Sequence, residues 1–331
     1  MNIAINGFGR IGRTSARIIF ERHKDAKLVA INDLTDVKTL AHLLKHDSNY
    51  GTFGLEVKAD GDDLIIAGQR VKVYSEKDPT KLPWHEHNVD VVLECTGHFT
   101  DKAGASGHIT AGARHVIISA PPKGGEVPTH VLSVNEDKIG EGDVISNASC
   151  TTNCITPVAA VITAHFGVQK AMMTTIHSYT ADQNLQDGPH KDLRRARGAA
   201  ENIVPTTTGA AISAGEVIPE LKGLFDGLSI RVPTPVVSLS DFTFVTKKKT
   251  TVEEVNEVLT EAAKNPRYKG ILEVTNEELV SSDFKGNPAS AIVDLKLTKV
   301  VDGDLVKVVA WYDNEYGYSC RLVELALLVG R

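Results

Sequence analysis

No run of apolar residues in this chain approaches the length of a membrane span, and no cysteine pair shows C-x-x-C spacing. The four cysteines are Cys95, Cys150, Cys154 and Cys320. Cys150 and Cys154 lie one helical turn apart, with no second Cys/His pair at suitable spacing after them, so no metal site is expected. Basic residues are in no excess, 36 Lys and Arg against 42 Asp and Glu, for a net charge of −6 and a pI of about 6.1. Neither nucleic acid nor an anionic membrane is an expected partner. No charged leader precedes the first strand-like segment, so no secretory signal is expected. Internal repeats and low-complexity stretches are absent from the sequence. What remains is ordinary globular usage, 42% hydrophobic and 24% charged, in 331 residues. That length is enough for two domains with sizeable cores.

The chain opens on a short apolar strand, Asn2-Ile3-Ala4-Ile5-Asn6, followed by Gly7-Phe8-Gly9-Arg10-Ile11-Gly12. A helical pattern then runs from Ile11 to Arg22. This is G-x-G-x-x-G in a strand–turn–helix setting. Its glycines permit a tight turn, close approach of backbone to a pyrophosphate, and close helix–strand packing, with the helix N-terminus facing the phosphates. A second strand, Lys27 to Asn32, ends at Asp33, where an acidic residue bonds an adenosine ribose hydroxyl. A carboxylate there repels a 2′-phosphate, and no arginine follows in Leu34-Thr35-Asp36, so NAD is expected over NADP.

Ser146-Asn147-Ala148-Ser149-Cys150-Thr151-Thr152-Asn153-Cys154 carries the second site. Ser149 is a good N-cap, and the apolar run Ile155 to Phe166 reads as the helix that follows. A thiol in a helix's first turn feels the positive end of the macrodipole, which favours the thiolate nucleophile. With a dinucleotide site, such a thiol suggests aldehyde oxidation through a hemithioacetal, hydride transfer to nicotinamide, and a thioester. The chemistry needs a base. His177, at the end of the apolar strand Ala171 to Ile176, is the leading candidate among 12 histidines. His165 lies on the helix after Cys150 and His190 in a polar loop, while His42, His46, His85, His87 and the others of the first half are expected to face solvent or cap helices. A reactive thiol also calls for a reducing compartment, hence the cytoplasm.

Residues 1–149 alternate short strands (Val71 to Tyr74, Val89 to Glu94, His115 to Ser119) with helical stretches, the βαβ rhythm of a doubly wound Rossmann sheet. Thr96-Gly97 and Ser119 follow late strands and are placed against the dinucleotide, with a plain turn as the alternative at Thr96-Gly97. From 150 the strands lengthen and alternate (Leu228 to Val232, Val236 to Thr246, Ala289 to Leu295, Leu305 to Tyr312). A mostly antiparallel sheet with helices on one face is expected over 150–312, an α+β domain beside the α/β one. A helix is expected over Val252 to Lys264, through Val255, Val258, Leu259 and Ala262. The segment 313–331 ends in an apolar helix, Tyr318 to Val329. Pro157 inside the helix after Cys150 suggests a bend.

With those motifs the chain resembles the phosphorylating glyceraldehyde-3-phosphate dehydrogenases, essentially end to end. The resemblance rests on the glycine loop, Asn32-Asp33-Leu34-Thr35-Asp36, Ser119-Ala120-Pro121, the Cys150 segment and His177-Ser178-Tyr179-Thr180. It continues through Lys191 to Arg197, Pro205 to Ala211, Arg231-Val232-Pro233-Thr234-Pro235, and Trp311 to Glu315. It implies glyceraldehyde 3-phosphate and inorganic phosphate as substrates and 1,3-bisphosphoglycerate as product. It further implies that Asn6, Gly7, Gly9, Arg10, Ile11, Gly12, Asp33, Thr96, Gly97, Ser119, Asn314 and Tyr318 contact NAD. The C-terminal helix returns to the first domain in the family, bringing Asn314 to the nicotinamide. Thr180 and Arg231 resemble the site for the substrate's phosphate, and Ser149, Thr151, Thr208 and Gly209 the site for inorganic phosphate. Arg231 could instead form a structural ion pair, and Thr206 to Thr208 a plain β or capping run. The cationic loop Tyr179 to Asn202 packs across subunits in the family, which implies a homotetramer, although such a run can also be a solvated face. Alternatives are an erythrose-4-phosphate dehydrogenase, an NADP-linked biosynthetic paralogue (Gly188 stands where a leucine is expected before Pro189), and a non-catalytic binding role.

Overall fold

The computed structural model describes residues 1–140 and 142–331, which divide into two compact units. The first comprises Met1–His130, Asp137–Ala148 and Ser319–Arg331. Its eight-stranded sheet runs in the order Val144–Ser146, His115–Ile118, Val91–Glu94, Asn2–Asn6, Lys27–Asn32, Gln69–Tyr74, Asp63–Ile66 and Val57–Asp60. All neighbours pair in parallel until the last two strands, which extend the sheet antiparallel. Covered on both faces, the parallel strands are apolar throughout: Ile3, Ala4, Ile5, Val91, Val92 and Leu93 are all fully buried. Asn2–Asn6 lies between Lys27–Asn32 and Val91–Glu94, so the winding reverses there. At such a switch point a crevice opens beyond the carboxyl ends of the strands. Those ends are Asn6, Asn32 and Glu94, side by side in register.

The hairpin of Val57–Asp60 and Asp63–Ile66 has no counterpart in the expected βαβ rhythm. Its strands are four residues each, the first charged at alternate positions (Lys58, Asp60), and are joined across Gly61 at φ 62°. The helix Arg10–Arg22 buries Ala16, Ile18 and Ile19. From Ser319 onward the last helix, Tyr316–Val329, belongs to this unit, with Leu322, Val323, Leu325 and Ala326 fully buried.

The second unit comprises Val131–Glu136 and Ser149–Tyr318. Its sheet runs Val204–Thr207, Phe225–Val232, Val168–Ser178, Ser238–Thr246, Leu305–Tyr312, Ala291–Asp294 and Leu272–Thr275, with Lys299–Val301 also paired to Leu305–Tyr312. Two pairings are parallel, Val168–Ser178 with Phe225–Val232 and Leu272–Thr275 with Ala291–Asp294; the others are antiparallel. Along Ser238–Thr246 every second residue is buried, the period-two pattern of a sheet with one face on a core. Phe242 and Phe244 stack there at 5.7 Å. The helix Cys150–Phe166 packs on this face and runs on through Pro157, and Val252–Lys264 buries Val255 and Leu259 against it.

Candidate cofactor and catalytic sites

In the first unit, the glycine loop bounds a cleft of about 450 Å³ lined by Asn6, Gly7, Gly9, Asn32, Asp33, Leu34 and Thr96, among others. Two glycines are required by contact. A Cβ on Gly7 (φ 89°) would lie 2.7 Å from the Thr96 amide nitrogen, and one on Gly12 would lie 2.2 Å from the Gly7 carbonyl oxygen. At Gly9 a Cβ would meet no protein atom within 4 Å, so the backbone is open on that side. Gly9 is also the N-cap of the helix Arg10–Arg22 and carries no capping side chain. A helix start without a capping side chain is a place where an anion binds well. The Arg10 guanidinium pairs with Asp47. Asp33 accepts from the Phe8 amide (2.7 Å) and the Thr35 amide (2.9 Å), which ties its carboxylate to the glycine loop. An uncapped helix start, a bare glycine and a fixed carboxylate fit a dinucleotide.

Gly97 (φ 71°) follows Thr96 at the rim, while Ser119 extends the strand His115–Ile118 and bonds the Cys95 thiol, which burial pushes up to about 12. Asn314 and Tyr318 belong to the second unit and do not line this cleft. The Asn314 carbonyl accepts from the hydroxyls of Ser178 and Ser238, each at 3.0 Å, which fixes the amide so that its NH₂ points away from both. His108, expected at the surface or on a cap, is instead fully buried against Trp84 and Glu94. The polar residues around it hid its neighbours, because its partners come from three separate elements.

In the second unit Ser149 caps the helix Cys150–Phe166, accepting from the Thr152 amide at 3.0 Å. Ala148, just before the cap, has φ 56°, a left-handed backbone that a residue with a Cβ adopts at a cost. The Cys150 sulfur lies 3.5 Å from His177 Nε2. His177 Nδ1 lies 2.7 Å from the Ser178 carbonyl, which can only accept; Nδ1 therefore carries the proton and Nε2 is free to take one from the thiol. Burial, then the nearby Arg231 charge, lowers the His177 pKa to about 3. Burial also pushes the Cys150 thiol up, opposed by Arg231 and by the Thr151 hydroxyl and amide. The helix start alone thus does not hold a lone thiolate, contrary to the simple dipole expectation. A proton moved from sulfur to Nε2 instead sets two opposite charges 3.5 Å apart, where their attraction offsets the burial of each.

Arg231 pairs in register with His177 on the neighbouring strand. It donates to the Ser178 carbonyl (3.2 Å) and the Thr180 hydroxyl (3.0 Å). Among the described residues it forms no ion pair with a carboxylate, and its buried Nε has no partner, so the structural ion pair is not what holds it. Asp182 pairs with Arg195 instead. Thr151 turns its hydroxyl to Tyr312 (2.9 Å), which also bonds Thr175 (2.8 Å) and stands edge-on to His177 at 6.0 Å. Thr208 and Gly209 begin the helix Ala210–Val217, which packs on Cys150–Phe166. Sequence reasoning missed Tyr312, Ser178 and Ser238; only the strand register brings them to the site.

Residues 1–102 match the family model for the NAD binding domain of glyceraldehyde 3-phosphate dehydrogenase, and residues 149–314 match that for its C-terminal domain. The chain belongs to the glyceraldehyde-3-phosphate dehydrogenase family. It is 50% identical to the glyceraldehyde-3-phosphate dehydrogenase of Streptomyces coelicolor, across 100% of this chain and 98% of that protein. The enzyme of the same name from Geobacillus stearothermophilus is 51% identical over 99% and 98% of the two chains, and that from Mycolicibacterium smegmatis 52% over 100% and 99%. As in the family, the cofactor domain is an NAD-binding one, and the cleft beside Asp33 lies within it.

Proposed function

We propose that the chain oxidises glyceraldehyde 3-phosphate to 1,3-bisphosphoglycerate in glycolysis, with inorganic phosphate as acyl acceptor. One observation carries this reading: Cys150 sits at a helix start, 3.5 Å from an imidazole nitrogen whose tautomer makes it a base, beside an arginine with no carboxylate partner. Residues 7–12, Asp33 and Thr96 of the first unit would hold NAD, which would supply the hydride acceptor. His177 Nε2 takes the thiol proton as the sulfur bonds the aldehyde carbon. The Cys150 amide and the new Nε2–H donate to the developing oxyanion, and the Nε2 proton passes to it, giving the hemithioacetal hydroxyl and a neutral imidazole. As the hydride departs, His177 takes the hydroxyl proton and the acyl group remains as a thioester on Cys150. Phosphate attacks that thioester, the C–S bond breaks, and the thiolate is restored. Arg231 and Thr180 bind the substrate's phosphate, and Ser149, Thr151, Thr208 and Gly209 bind the attacking one.

The protomers form a homotetramer in the cytoplasm on this reading. Support comes from the second unit, where Met172, Leu185, Leu193, Ile203 and Ile212 expose 61–81% of their surface. Met172 and Ile212 line a groove of about 750 Å³ with Leu224 and Phe225. Exposed apolar area of this kind is covered in stable assemblies. NADH formation from the triose phosphate with NAD, with and without phosphate, tests the activity. Fast turnover that depends on phosphate is expected. Preference for erythrose 4-phosphate or for NADP in parallel assays would move the enzyme to another pathway.

A further inference from the structure

Glu94 is fully buried at the carboxyl end of the strand Val91–Glu94, and its carboxylate takes four donors. Oε2 accepts from Asn6 Nδ2 (2.5 Å) and His108 Nε2 (3.0 Å), while Oε1 accepts from the Thr96 amide (2.8 Å) and the Thr96 hydroxyl. Every lone-pair position is used and nothing is donated, the pattern of an ionised carboxylate. A buried charge of this kind persists only where donors converge on it.

The donor from His108 is itself enforced. Trp84 Nε1 lies 2.9 Å from His108 Nδ1, and an indole N–H can only donate. Nδ1 is therefore the acceptor and Nε2 the N–H, aimed at Glu94. Asn6 Nδ2, 3.3 Å from that same Nε2, donates to the same oxygen. From Glu94 the order passes outward. Asn6 Oδ1 accepts from Asn32 Nδ2 (2.7 Å), and Asn32 is closed off by the amide and carbonyl of Glu76. Thr96 Oγ1 accepts from the His98 amide (3.0 Å). Asn6, Asn32 and Thr96 line the cofactor cleft; His108 and Trp84 do not.

We propose that Glu94, locked by His108 and Trp84, is a positioning residue for the dinucleotide: it fixes which way the Asn6 amide faces and holds Thr96 against Gly7. The inference rests on the reading of this cleft as the NAD site. Glutamine at 94 keeps the shape but turns one oxygen into an NH₂, which must face a donor. Either Asn6 or Thr96 is then released. Glu94→Gln should raise the Kd and KM for NAD about tenfold while kcat and Tm shift little, because the reacting groups lie elsewhere. The histidine variants separate relay from bulk. His108→Leu removes the donor and should weaken NAD binding several-fold, to about the level of a lost buried hydrogen bond, whereas His108→Gln keeps an amide donor and should bind within about twofold of the native chain. NAD titration by calorimetry reads all three. Unchanged Kd in folded Glu94→Gln overturns the proposal, and so does equal NAD binding by His108→Leu and His108→Gln, which keeps the test open if the first variant does not fold. Failure of the native chain to bind NAD would overturn the reading of the cleft instead.

Discussion

At the residue scale the account turns on one proton shared by Cys150 and His177. Neither ion is favoured alone, since burial raises the thiol and lowers the imidazole to about 3, so each depends on the other. His177→Asn should therefore slow alkylation of Cys150 by iodoacetamide at neutral pH, with reactivity recovered only as pH rises, and kcat should fall by roughly 10²–10⁴-fold. Native alkylation rates in that variant would remove His177 as the base. The same imidazole links stability to pH. The unfolded chain takes up a proton at His177 below pH 6.5, and the folded chain refuses it until about pH 3. Stability from this group is thus present above pH 6.5 and lost as pH falls through that window. Denaturant unfolding of the native chain and His177→Asn at several pH values should show a shallower acid decline in the variant.

At the scale of elements, both sites are strand-to-helix turns whose chemistry depends on what the turn omits. At Gly12 a single methyl would press on the Gly7 carbonyl at 2.2 Å. Gly12→Ala should then cost roughly 1–3 kcal/mol of stability and lower NAD affinity together, measurable by thermal unfolding and calorimetry; retained affinity would contradict the packing argument. Such turns were legible in the sequence, because glycine spacing and a serine N-cap are local signals. Val252–Lys264 and Leu305–Tyr312 fall at the positions their periodicity predicts. Less legible was whatever depends on pairing between distant strands. Val57–Asp60 and Asp63–Ile66 form an edge hairpin whose strands are only four residues long, and Tyr312 reaches Thr151 and Thr175 only through the register of the second sheet. The burial of His108 was hidden for the same reason: Trp84 and Glu94 lie 24 and 14 residues away in sequence.

At the scale of the whole molecule, the proposed homotetramer would cover apolar side chains that the second unit exposes, among them Met172 and Ile212. Light scattering coupled to size exclusion should find a particle of about four protomer masses. A fully active species at the 35.7 kDa protomer mass would contradict that assembly. The central claim, a thioester on Cys150 formed by a thiol–imidazole pair, is tested most directly by mixing the enzyme with NAD and glyceraldehyde 3-phosphate without phosphate, quenching in acid, and mapping the adduct by mass spectrometry. The account predicts a burst of about one NADH per protomer and a phosphoglyceroyl group on the peptide carrying Cys150, discharged when phosphate is added before the quench. A burst with no adduct at Cys150, or an adduct that phosphate does not discharge, would contradict it.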